Sequence, residues 1–91
     1  MSKFEKLLFK LLSGNADKSF EFSALIKILE SYDFKMRTKG SHHIFNKEGV
    51  AEIINLQEGE SGKAKPYQVK QVREVLIKHK IVQLNNPDDE S

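Results

Sequence analysis

The chain has 91 residues, enough for one small domain and too few for a second independent core. Its 38 % hydrophobic and 31 % charged content suits a folded protein, and no long apolar run or leader appears, so a cytoplasmic protein without a membrane segment is expected. Cysteine is absent, which excludes disulfides, thiolate metal sites and cysteine nucleophiles, while the net charge of +2 hides a basic stretch over 27–80, compatible with a polyanion, and an acidic end.

"SKFEKLLFKLLSG" predicts an amphipathic helix over residues 1–14. Phe4, Leu7, Leu8, Leu11 and Leu12 recur at helical spacing, Ser2 with Glu5 forms a capping box, and Gly14 stops the helix. A second helix is expected over roughly 22–32, with Leu25, Ile26, Ile28 and Leu29 on its apolar face and Ser23 as an alternative N-cap. "DFKMRTK" then alternates Phe34, Met36 and Thr38 with Lys35, Arg37 and Lys39, the period of a strand. Gly40-Ser41 turns the chain into "HHIFN", and Lys47-Glu48-Gly49 turns it again into "VAEIINLQ". "EGESGKAK" reads as a polar loop. Pro66 opens a last helix whose stripe is Val69, Val72, Val75 and Leu76, with Ile77 on its flank.

The order helix, helix, three-strand meander, helix implies an α+β domain over 1–81, followed by an acidic tail over 82–91. In a strand, Ile44 and Phe45 face opposite ways, as do Ile53 and Ile54, so the sheet is expected to carry apolar surface on both sides. The N-terminal helix is available to cover the second side or to offer it to another subunit.

His42 and His43 are the residues with most chemical latitude. They support a packing role, a metal role or acid–base chemistry. Metal is the poorest fit: adjacent strand residues point apart, and no third or fourth ligand stands at a metal spacing. Acid–base chemistry on RNA needs little more than an imidazole, some positive charge and positioning, because the 2′-hydroxyl is the nucleophile. Lys39 and Gly40 before His42, and Lys63 and Lys65 at the entry to the last helix, supply such surroundings.

"LIKILESYDFKMRTKGSHHIFNKEG", residues 25 to 49, with "GKAKPYQVKQVREVLIKHKI", residues 62 to 81, resembles the HicA (YcfA-like) toxin family of bacterial toxin–antitoxin systems. The match rests on the Asp33-Phe34 corner, the Lys39-Gly40-Ser41-His42 signature and the Gly62-Lys63 to Pro66 helix entry. The resemblance implies an α-β-β-β-α fold like the double-stranded-RNA-binding domain, here with an extra N-terminal helix at 1–14 and a core at 22–81. It implies a metal-independent, cofactor-free endoribonuclease acting on mRNA, held in check by a HicB-type antitoxin. His42 would be catalytic, and Lys39, Gly40, Ser41, Lys63 and Lys65 would hold RNA; the N-terminal helix offers a homodimer contact. Two elements depart from the pattern: the N-terminal helix lies outside the family's compact core, and the third strand ends differently. The family's third strand ends in Pro-x-His, and this chain reads Asn55-Leu56-Gln57.

Overall fold

The computed structural model describes residues 2–82. Helix α1 spans Lys3–Ser13, α2 Phe22–Ser31 and α3 Pro66–Lys78; strands β1 Lys35–Lys39, β2 His42–Lys47 and β3 Val50–Gln57 form one antiparallel sheet in the order β1-β2-β3. The α+β class and the element order follow the sequence reading. Short 3-10 turns at Asp17–Ser19 and Glu60–Gly62 complete the described chain.

Local chemistry explains each boundary. Ser2 Oγ accepts from the Glu5 amide and Glu5 Oε1 accepts from the Ser2 amide, both at 3.1 Å, so two orphan donors of α1 are satisfied reciprocally. Gly14 ends that helix in the left-handed region (φ 75°). At the end of α2 the same conformation falls on Asp33 (φ 67°), where the Phe34 amide donates back to the Leu29 carbonyl at 3.1 Å. Aspartate tolerates this geometry better than most L residues, though not as well as glycine. Lys39 pairs with His42, so Gly40-Ser41 is a two-residue hairpin loop, with Gly40 at φ 61° in its first position.

One core joins the three helices to one face of the sheet. Leu11, Phe20, Leu25, Ile28, Leu29, Phe45, Ile54, Leu56, Val69, Val72 and Leu76 are fully buried. The stripe predicted for α3 is the buried one, with Ile77 half-buried beside it. On α2, Phe22 takes a core place and Ile26 sits at the margin.

Three expectations need correction. Helix α1 does not cover the second sheet face: it packs on α2 and α3, with Leu11 in the core. Arg73 of α3 fixes it there, donating to the Leu11 carbonyl (3.1 Å) and to both carboxylate oxygens of Asp17 (2.9 and 3.0 Å). The segment 58–65 is no open loop. Isolated bridges tie Glu58 to Ala64 and Glu21 to Lys63, the Ala64 amide donates to the Phe20 carbonyl at 2.8 Å, and Ala64 is buried. Val82, assigned to the tail, is 6 % exposed and belongs to the core. Residues 83–91, with the three acids of the tail, lie outside the described residues.

Candidate active site

Strand parity and hairpin register together lay out the sheet face that the helices leave open. Across the strands, Lys39, His42 and Gln57 form one row, and Arg37, Ile44 and Asn55 form the next. Lys35 lies opposite Asn46 in the row after that. Side chains of a row share a face because every second residue of a strand points the same way. Glu52 is the one carboxylate within the three strands, and its parity puts it on the other face.

His42 is exposed at the start of β2. Asn55 Oδ1 accepts from His42 Nδ1–H at 3.0 Å, which puts the proton of a neutral ring on Nδ1 and leaves Nε2 unpartnered among the described residues. Gln57 Nε2 donates to Ser41 Oγ at 3.0 Å. Gln57 is itself anchored by α3. With its amide turned to satisfy both groups, the buried Gln68 side chain donates to the Gln57 carbonyl (3.1 Å) and accepts from its amide (3.2 Å). A path of hydrogen bonds thus runs from the core through Gln57 to the hairpin loop that carries Gly40 and Ser41. This path fixes where His42 stands relative to the strand beside it.

His43 faces the other way. It is half-buried, its ring meeting Phe22 edge-on with centroids 5.2 Å apart. Among the described residues, its Nδ1 is buried without a hydrogen-bond partner. Its surroundings are those of a packing residue.

Of the predicted RNA-binding residues, Lys39, Gly40 and Ser41 adjoin His42 in one hairpin, and Lys39 is exposed. Lys63 is engaged in an ion pair with Glu21 on the strap 58–65. Lys65 is the N-cap residue of α3, its side chain alongside Gly59. Both belong to the strap that continues from the end of β3 and do not form part of the open-face rows.

Sequence reasoning did not single out Asn55, Gln57, Arg37 and Ile53 as a group. The signal was there: a two-residue turn at Gly40-Ser41 fixes Lys39 opposite His42, and parity then selects one residue in two along all three strands.

The third histidine lies elsewhere. His79 Nε2 is 2.6 Å from Glu52 Oε1, and Lys78 Nζ is 2.8 Å from Glu52 Oε2. Hydrogen bonds from Lys78 first and His79 second lower the Glu52 pKa to about 2. This cluster ties the end of α3 to β3. Among the described residues no group of three or more His, Asp or Glu side chains is arranged to hold a metal ion, and no helix is long and apolar enough to cross a membrane. In comparisons with known proteins, no family model, curated protein or solved structure matches the chain.

Proposed function

We propose that the chain is a HicA-like toxin: a metal-independent endoribonuclease that cleaves mRNA through His42 and is neutralised by a HicB-type antitoxin. The reading includes a fold of the double-stranded-RNA-binding type for α2-β1-β2-β3-α3, with α1 added. The observation that carries it is His42 itself. An exposed imidazole stands at the end of a fixed hairpin, its Nδ1 held by Asn55 and its Nε2 unpartnered among the described residues, with Lys39 directly across the strand pair.

In this mechanism Nε2 of His42 takes the proton of the RNA 2′-hydroxyl as its oxygen attacks the adjacent phosphorus. The O2′–P bond forms and the P–O5′ bond breaks, leaving a 2′,3′-cyclic phosphate and a 5′-hydroxyl that takes its proton from water. Lys39 offsets the charge gathering on the phosphoryl oxygens. His43 has no part in it, because it lies on the covered face against Phe22. Loss of one acid–base group lowers such a rate by about 10²- to 10⁴-fold.

Induced expression in a bacterial host tests the reading. Wild type and His43→Ala arrest growth, and His42→Ala does not; a His42→Ala chain as toxic as wild type refutes it.

Gln57 favours a second reading. It stands directly across from His42, where the family pattern has a histidine, and a carboxamide transfers no proton. On that reading the chain binds RNA or antitoxin without cleaving, and purified wild-type protein leaves RNA intact while retaining it. A homodimer through α1 belongs to the main proposal only as an accessory contact; Phe9, 68 % exposed, is the side chain that would meet the partner copy.

A further inference from the structure

The open face of the sheet holds more than the row of His42. Arg37, Ile44, Asn46 and Ile53 enclose a shallow hollow of about 180 Å³. Ile53 is 60 % exposed there, an apolar side chain left in water beside the half-buried Ile44 on a face whose other long side chains are polar or charged. Along the edge strand, Lys35, Arg37 and Lys39 all face this side. Same-face residues of a strand are spaced by about 6.7 Å, comparable to the step between successive phosphates of an extended single strand. No strand residue on this face is acidic.

From this juxtaposition we propose that the hollow is a nucleotide subsite for single-stranded RNA, taking the base next to the phosphodiester held at His42. The inference rests on the ribonuclease reading and adds to it the element that chooses where the enzyme cuts. Ile44 and Ile53 form the apolar floor under the base, Asn46 meets its polar edge, and Arg37 holds its phosphate. The column Lys35, Arg37 and Lys39 tracks the backbone, so the strand runs along β1 and β2 with one nucleotide per same-face residue.

Charge and shape select this occupant. A base paired inside a duplex cannot lie flat on the hollow, whereas an unstacked base can; proteins that read single strands combine basic tracks with aromatic platforms, and here two isoleucines stand in the platform's place. A second copy of the chain docking face to face would gather Lys35, Arg37 and Lys39 of both copies in one interface with no strand carboxylate to offset them. An acidic protein segment would satisfy the cations and leave the hollow without a flat apolar ligand.

The test is fluorescence anisotropy on the full chain carrying His42→Ala, so that RNA stays intact. The probes are an unstructured ten-nucleotide RNA, a duplex of equal length and an oligo-glutamate peptide. Adding Ile53→Ser weakens single-strand binding about fivefold, with the salt dependence unchanged and duplex binding unaffected. Adding Arg37→Gln weakens single-strand binding and lowers the slope of log K against log salt by about 0.7, one phosphate contact. Both side chains are exposed, so the thermal midpoint stays at that of the parent and reports an intact fold. The proposal is overturned if Ile53→Ser binds the single strand like its parent, if the duplex loses as much, if the peptide binds as tightly, or if no RNA is bound. Failure of the ribonuclease reading shows separately, as wild-type protein that leaves bound RNA uncut.

Discussion

On the helix-covered side of the sheet, Phe45, Ile54 and Leu56 are sealed from water and Glu52 is matched with Lys78 and His79. One residue away along the same strands, the open side carries His42, Asn55, Gln57, Arg37 and a largely exposed Ile53. Adjacent residues of β2 and β3 therefore live in different solvents. The difference teaches that in a domain this small, stability and chemistry are separated by strand parity rather than by distance. His42 and His43 are the clearest case: one imidazole faces water beside an amide, the other packs against Phe22.

The largest expected effect breaks the covered side. Phe45→Ala costs about 3–5 kcal/mol, through lost burial and the cavity left behind, whereas Ile53→Ala on the open side changes stability by less than about 0.5 kcal/mol. Urea midpoints of the two variants measure the contrast directly. Equal losses would mean that the open face is covered in solution.

A smaller effect concerns charge on the covered side. With its pKa lowered to about 2 from an ordinary 4.5, Glu52 stabilises the fold fully above pH 4.5. Between that value and pH 2 the unfolded chain binds a proton that the folded chain does not, so stability falls as acid is added. Glu52→Gln, with no proton to take up, flattens that part of the stability–pH curve while lowering stability at pH 7. Denaturation midpoints at pH 7 and pH 3 for both proteins check the sign.

The smallest effect sharpens the comparison at its origin, because the corner after α2 decides which residues of β1 face which side. Asp33 holds a left-handed backbone there, and Asp33→Gly relieves about 0.5–1 kcal/mol of conformational strain. The thermal midpoint rises, and the register of Lys39 opposite His42 is kept. A fall in the midpoint would show that the aspartate side chain contributes more than its backbone costs.

Much of this layout was legible from local pattern. The capping box on Ser2 and Glu5, the apolar stripe of α3 and the Gly40-Ser41 hairpin each depend on residues a few positions apart, and periodicity reports such neighbours faithfully. The opposed histidines followed from parity alone. What escaped has partners far along the chain. Nothing in "SKFEKLLFKLLSG" says that its apolar face meets helices rather than the sheet, and nothing around Asp17 announces Arg73. The strap 58–65 reads as a loop because its residues are polar, yet its backbone pairs with residues 20–21 and folds back on itself between 58–59 and 63–64. In the site, the charge of Lys63 suggests a phosphate contact, and that charge is engaged by Glu21.

Arg73 sets the order in which the molecule can be completed during synthesis. The hairpins that place His42 beside Asn55 and Gln57 contain all their strand partners by residue 57, and Gln57 gains its anchor later, with Gln68 of α3. Helix α1 is made earlier, but it acquires its anchor only when residue 73 emerges to join Leu11 and Asp17. Contacts of such long sequence separation form late, because the chain entropy of closing the loop must be overcome first. During synthesis the strands of the candidate site can therefore pair before the domain closes, whereas α1, with only α2 to pack on, still lacks the anchor that α3 supplies.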